Sequence, residues 1–172
     1  LNIGGLANVT FVGRGKVLAG FDTGPGNCLM DLAVRLATGG QRTMDRDGKL
    51  AAGGRVNEER VAGMLRDPYF RKAPPKSLER TYFGEAFLNR QFGRISRRNL
   101  PDILATLNSF TAASIALSLT LPSPERGRGG RKSEVVVSGG GALNPVLMAN
   151  LRRRLAPVPV MTSETHGIPP MA

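Results

Sequence analysis

Three glycine-rich stretches constrain this chain most, because each lies where a predicted strand turns or gives way to a helix. They are "NIGGLANVT" (2–10), "DTGPGN" (22–27) and "VSGGGALNP" (137–145). Glycine at such positions permits positive φ and lets backbone N–H groups approach an anion closely. A helix that begins there adds the positive end of its dipole. None of the three matches a P-loop or a dinucleotide fingerprint, so together they predict nucleotide binding of another design. Each one alone is equally compatible with an ordinary turn.

The order of the remaining elements indicates an α/β fold on a mixed sheet. A hairpin is predicted over 1–22, with its turn at "GRGK". Helices are predicted from Asn27 to about 38, from Asn57 to about 66, at 83–92, 100–119 and 144–155. Short strands are predicted at "EVVV" and "VPVM". The segment "PSPERGRGGRK" (122–132) is a predicted loop of low complexity.

Composition limits the classes of protein further. A hydrophobic content of 41% with 22% charged residues is typical of a globular domain. The single cysteine, Cys28, excludes a disulfide within the chain, and with one histidine, His166, a zinc site is not expected. No run of apolar residues is expected to span a membrane. The longest predicted helix, 100–119, presents a single apolar stripe to the core. The members of that stripe are Ile103, Leu104, Leu107, Phe110 and Leu117.

The charge balance favours an anionic partner. The chain has 24 Lys and Arg residues, 19 of them arginine, against 13 Asp and Glu, for a net charge of +11. The stretch "ERGRGGRK" is similar to RNA-binding Arg-Gly segments, so a basic RNA-binding protein is one alternative. Against it, the arginines are scattered, aromatics make up only 5%, and no known nucleic-acid motif is present. An enzyme with an anionic substrate would benefit from the same field.

Five motifs occur in a recognisable order: "LNIGGLANVT", "FDTGPGN", "DRDGKLAAGGRV", "DPYFRKAPPKS" and "VVVSGGGALNPVLMANL". With them, the whole chain (1–172) resembles the C-terminal lobe of anhydro-N-acetylmuramic acid kinase, of the sugar kinase/Hsp70/actin ATPase superfamily. The resemblance implies a mixed-sheet lobe of the actin-like ATPase (ribonuclease H-like) fold. It also implies a cytoplasmic enzyme of peptidoglycan recycling that uses ATP and Mg²⁺ on an amino sugar. No membrane partner is implied, and a homodimer is compatible with the intact enzyme.

The same resemblance implies roles for individual residues. Asp22 matches the catalytic base that takes a proton from the attacking water. The ATP phosphates would lie beside Gly4 and Gly5, and the adenosine beside Gly139, Gly140, Gly141 and Asn144. The substrate side would include Gly24, Gly26, Asn27, Lys76 and Arg80. Each implied role has a structural alternative. Lys76, Ser77 and Arg80 could serve only to hold their loop in place. The other positions could serve only the geometry of turns and helix caps. No metal ligand and no role for His166 is implied, and Cys28 is expected to pack.

The sequence lacks a counterpart of the family's N-terminal lobe, with its first phosphate loop Gly-Thr-Ser-x-Asp-Gly, and of its closing helix. We therefore expect a partial enzyme that exposes apolar surface and self-associates. A non-catalytic nucleotide-binding remnant or interaction module is the alternative.

Overall fold

Five strands and seven α-helices make up the described part of the chain. The structure, a computed structural model, describes residues 1–120 and 133–170, so the predicted loop at 122–132 lies outside the described residues. The strands are β1 Asn2–Ile3, β2 Leu6–Gly13, β3 Lys16–Pro25, β4 Val135–Val137 and β5 Val160–Thr162. The helices are α1 Cys28–Thr38, α2 Lys49–Ala52, α3 Glu58–Met64, α4 Pro68–Arg71, α5 Glu85–Phe92, α6 Leu100–Thr120 and α7 Pro145–Leu155.

The strands pair in both directions. Strands β1, β2 and β3 form an antiparallel sheet in that order, and β4 pairs in parallel with β5. Three backbone hydrogen bonds join β1 to the end of β4: Leu1 N to Val136 O at 2.9 Å, Ile3 N to Ser138 O at 2.8 Å, and Ser138 N to Leu1 O at 2.8 Å. The predicted α/β class, with antiparallel and parallel pairing, is therefore confirmed.

The first strands differ from the prediction in two places. The chain turns back at Gly4 and Gly5, so that Ile3 pairs with Ala7, whereas one uninterrupted strand was predicted there. At the other end, β3 continues to Pro25 because Leu6 and Ala7 extend the ladder. The strand therefore runs three residues beyond its predicted end at Asp22, and the predicted bend begins only after Pro25.

Helix α6 is the centre of the core. Sixteen of its 21 residues are buried, so the prediction of a single apolar stripe was wrong. One side packs on a cluster from α1, α3 and α5, and the other on the sheet and α7. Contrary to the sequence-based expectation, α6 is long and apolar enough to cross a membrane, but 83% of its most apolar window is buried inside the structure. The core helix of a globular protein passes the same test, so this is weak evidence for a membrane.

Three asparagines at predicted helix starts have different outcomes. Asn57 Oδ1 accepts a hydrogen bond from Arg60 N at 2.8 Å, so the cap predicted there is confirmed. Asn144 Oδ1 accepts one from Val146 N at 3.1 Å, which is the capping geometry given above as the alternative for this residue. Asn27 occupies the N-cap position of α1, but its side chain makes no capping bond. The first turn of α1 instead donates backbone N–H groups to the carbonyls of Gly4 and Gly5.

Gly54 tests the packing of the loop before α3 against α6. A Cβ atom there would overlap the backbone carbonyl of Pro101. We expect Gly54→Ala to lower the free energy of unfolding by about 1–3 kcal/mol, the usual cost of overpacking. In the control Gly63→Ala, a Cβ on α3 meets nothing within 4 Å, so stability should rise by up to about 1 kcal/mol. Urea midpoints measure both, and equal midpoints would contradict this packing.

Cys28 tests the contact between the start of α1 and the Gly4–Gly5 turn. Its thiol is half-buried, and burial raises its pKa to about 11. At pH 8 the thiolate, which is the reactive form, should be about a hundredfold scarcer than in an unfolded chain. Alkylation by iodoacetamide should therefore be at least that much slower in the native protein than in concentrated urea. Equal rates in both states would show that Cys28 is not covered.

Candidate functional site

The three glycine-rich stretches meet at the Gly4–Gly5 turn. Gly26 N donates to Gly5 O at 2.9 Å, and a Cβ on Gly26 would overlap the Gly4 carbonyl oxygen. On the other side, Gly139 has φ +82°, and a Cβ there would lie 2.6 Å from the Ile3 carbonyl oxygen. Only glycine therefore fits at positions 26 and 139. Their close contacts bring segments that are far apart in sequence to one place.

The glycines of this junction differ in exposure, which decides how each could serve a ligand. Gly5 is exposed, and Gly4, Gly139 and Gly140 are half-buried, so their backbones can be reached from solvent. Gly24, Gly26 and Gly141 are buried. These three buried glycines allow the backbone segments to pack closely. Their contacts with a ligand remain a prediction. Asn27 is half-buried at the same junction, and the Asn144 side-chain oxygen is occupied by the cap of α7.

A β-bulge directly follows Asp22. Asn8 pairs with Asp22, but the next pair is Ala7 with Gly24, so Thr23 is an extra residue on β3. Thr23 is fully buried, and its hydroxyl donates to the Ala7 carbonyl oxygen at 3.1 Å. Bulges of this kind turn side chains out of the regular alternation and occur often beside active sites. Asp22 itself still follows the regular alternation of the strand, because it is half-buried at the surface of the sheet while its neighbours Phe21 and Thr23 are buried.

The segment 69–78 holds Asp22 by three hydrogen bonds. Asp22 N donates to the Lys76 carbonyl oxygen at 3.0 Å, and the Tyr69 hydroxyl donates to the Asp22 carbonyl oxygen at 2.6 Å. Leu78 N donates to Asp22 Oδ2 at 2.8 Å. Within residues 1–120 and 133–170, no donor reaches Oδ1. One carboxylate oxygen is thus fixed in place, and the other has no hydrogen-bond donor among the described residues.

Asp22 lines an open groove of about 550 Å³, which we call the Asp22 groove. This volume lies within the range of about 300–1,000 Å³ that is typical of small-molecule sites. Strands β2 and β3 form its base and the loop before Leu78 forms one wall. The lining residues are Asn8, Val9, Thr10, Gly20, Phe21, Asp22, Pro75, Lys76 and Ser77.

The predicted substrate residues of the wall have different positions. The Lys76 side chain is buried, with Nζ 4.6 Å from the centre of the Tyr69 ring and 3.4 Å from the Tyr69 carbonyl oxygen. Burial, together with the nearby Lys72, lowers the pKa of Lys76. Ser77 is exposed along the groove. Arg80 is exposed and has no ion pair or hydrogen bond within the described ranges.

Sequence reasoning missed Tyr69, the residue that ties this wall to Asp22. Tyr69 is fully buried among aromatic rings, and burial raises the pKa of its hydroxyl, with a further contribution from Asp22. It also missed Asn8, Thr10 and Gly20. The alternation of polar and apolar residues in β2 could have indicated two of them, since Asn8 and Thr10 lie on either side of the buried Val9.

The described part of the chain offers no ready-made metal cage. Among residues 1–120 and 133–170, no three His, Cys, Asp or Glu side chains are grouped so that they could hold an ion. A nucleotide-bound Mg²⁺ needs only one or two protein carboxylates besides the phosphates and water. These residues therefore do not form a metal site of their own.

Comparison with known proteins identifies the family. The family model of anhydro-N-acetylmuramic acid kinase matches residues 1–172. Proteins of that name from Parasynechococcus marenigrum, Pseudomonas paraeruginosa and Acidithiobacillus ferrooxidans are 39%, 40% and 41% identical over 98%, 99% and 100% of this chain. The matches cover 45%, 44% and 43% of those relatives, so the chain spans somewhat less than half of their length. The chain belongs to the anhydro-N-acetylmuramic acid kinase family.

Proposed function

We propose that this chain is the C-terminal lobe of a kinase that uses ATP and water to convert 1,6-anhydro-N-acetylmuramic acid into N-acetylmuramic acid 6-phosphate. The family match supports the reaction class, and the relatives' greater length leaves room for a second lobe. The strand arrangement supports an actin-like ATPase fold, because the bonds between β1 and β4 align the strands in the order β3-β2-β1-β4-β5. A cytoplasmic location follows from the substrate of recycling and belongs to the same proposal.

The observation that carries the proposal is the fixed geometry of Asp22. A general base must hold an ionised carboxylate within reach of the proton that it takes. Leu78 N–H fixes Oδ2, the backbone of Asp22 is held on both sides, and Asp22 lines the groove with Oδ1 free of any donor from the described residues. A carboxylate that served only its own turn would not accept an N–H group from Leu78, which is 56 residues away in sequence.

In the proposed reaction, Asp22 takes a proton from the water that attacks the anomeric carbon of the sugar. The bond from that carbon to O6 breaks, and O6 attacks the γ-phosphorus of ATP, with ADP as the leaving group. Gly4, Gly5 and the Gly139–Gly141 turn would offer backbone N–H groups toward the nucleotide. When bound, Mg²⁺ would neutralise phosphate charge. Most of this catalysis is positioning and charge stabilisation, which both lobes must supply together.

The wall residues have a supporting part in this proposal. Lys76 places its carbonyl oxygen on Asp22 N and its ammonium over the Tyr69 ring, so it pins the loop against the catalytic strand. Ser77 and Arg80 are exposed and remain available to the sugar. The excess positive charge of the chain would attract both anionic substrates.

Asp22→Asn tests the catalytic assignment in a two-lobed protein made by joining this chain to the N-terminal half of the Pseudomonas relative. We expect turnover of the anhydro sugar to fall by about 10²–10⁴-fold. Stability and ATP affinity should stay nearly unchanged, because the amide can still accept the Leu78 N–H.

The matched control for this variant is Asp45→Asn. Both oxygens of Asp45 accept backbone N–H groups from Leu50 and Ala51 at 2.9 Å, so this carboxylate caps a helix. The control should lose about 1 kcal/mol of stability, because the amide nitrogen cannot accept one of these two N–H groups, and should keep its rate. Full turnover by the Asp22→Asn variant would overturn the catalytic role of Asp22. A joined wild-type protein that binds ATP without turnover would favour the non-catalytic remnant.

Gly5→Ala tests nucleotide binding in this chain itself. The nearest atom to the added Cβ is Cys28 Cβ at 4.0 Å, so the fold should tolerate the methyl group, which would intrude where the phosphates approach. We expect titration with MgATP to show at least about tenfold weaker binding than wild type. Gly63→Ala on α3 is the remote control and should bind normally. Equal affinity in both variants would contradict the phosphate assignment, and salt-sensitive RNA binding indifferent to ATP would favour the RNA-binding alternative.

A further inference from the structure

Four residues on one face of β2 and β3 form the base of the Asp22 groove. Asn8 pairs with Asp22, and Thr10 pairs with Gly20. The alternate residues Val9 and Phe21 lie under them in the core, with 4% and 7% of their surfaces exposed. The face turned to the groove therefore carries polar side chains or, at Gly20, no side chain, whereas the opposite face is apolar. We name this set of four residues the groove base.

Gly20 has no structural reason to be glycine. Its backbone is extended, without the positive φ that favours glycine. A Cβ built on it would meet Val9 O at 3.7 Å and Thr10 Oγ1 at 3.8 Å, which are ordinary contact distances. Glycine inside a strand weakens the strand, and it is retained where a ligand or another backbone approaches closely. Within the described residues no other segment covers Gly20, which is exposed.

Asn8 is also unexplained by the fold. Asparagine is depleted in strands, and within the described part of the chain the Asn8 side chain makes no hydrogen bond. Directly opposite residues of antiparallel strands have Cβ atoms about 4.5–5.5 Å apart, so its amide lies beside the Asp22 carboxylate. The amide offers two donor hydrogens and an acceptor oxygen to whatever molecule Asp22 serves.

We propose that Asn8 and Gly20 determine the specificity of the Asp22 groove for a pyranose sugar. Gly20 leaves space for the face of the sugar ring, and the Asn8 amide binds an oxygen of the sugar next to the atom at which Asp22 acts. This inference rests on the proposed function and adds residues to the same site. It assigns the hydrogen-bonding part of recognition to β2 and the steric part to β3.

The test uses this chain and 1,6-anhydro-N-acetylmuramic acid as the probe, with binding followed residue by residue through amide chemical shifts. In the wild type, shifts should change at 8–10, 20–22 and 75–77. Gly20→Ala should weaken binding by about 10- to 200-fold, the effect of one added carbon in a fitted pocket. Asn8→Ala should weaken it by about 2- to 12-fold, the range for one lost hydrogen bond.

The control is Val17→Ala, at the far end of β3, where the side chain is 69% exposed. It should bind like the wild type, and all variants should melt within a few degrees of one another. The inference would be overturned if the Gly20→Ala variant bound the sugar as tightly as the wild type. It would also be overturned if the sugar caused no amide chemical-shift changes at the groove base. Neither result decides the proposed function, which depends on turnover with and without Asp22 in the joined protein.

Discussion

The fit of strand β3 against helix α6 is the constraint on which the rest of the structure depends. The end of β3 is buried, so its carbonyl groups need partners, and α6 supplies them from small hydroxyl side chains. Thr111 Oγ1 donates to Gly26 O at 3.1 Å, and Ser118 Oγ donates to Thr23 O at 3.3 Å. Larger side chains on this face of α6 would push the strand away. Because buried polar groups without partners are costly, these two bonds fix where β3 ends and α1 begins.

The packing of β3 on α6 also fixes the position of Asp22. Once the strand end is fixed, strand alternation places Asp22 on the surface side of β3, between the buried Phe21 and Thr23, and the segment 69–78 holds it from the other side. That segment is itself held by aromatic rings, since Tyr69 contacts Phe70 and Phe83 edge to face at 5.4 and 6.0 Å. A polar site on a half-exposed strand can thus be rigid, because each of its supports belongs to the core.

Much of the fold was predictable, because it follows from local chemistry. The turn before β3, the caps at Asn57 and Asn144, and the bounds of α6 all depend on neighbours in sequence. The errors came from contacts between distant segments. The extension of β3 beyond Asp22 to Pro25 depends on pairing with Leu6 and Ala7, and the all-round burial of α6 depends on both clusters that flank it. Family motifs pointed to Asp22, but the support from Tyr69 and the groove base needed strand register.

The central claim is that segment 69–78 clamps the Asp22 carboxylate through the Leu78 N–H group. Amide hydrogen exchange at single-residue resolution tests this most directly, because Leu78 lies outside the helices and strands and has the Asp22 carboxylate as its acceptor. The Leu78 amide is expected to exchange at least about a hundredfold more slowly than an open loop amide, at a rate similar to that of Asp22 N–H. Exchange of Leu78 at the rate of the exposed Ser77 amide would contradict it.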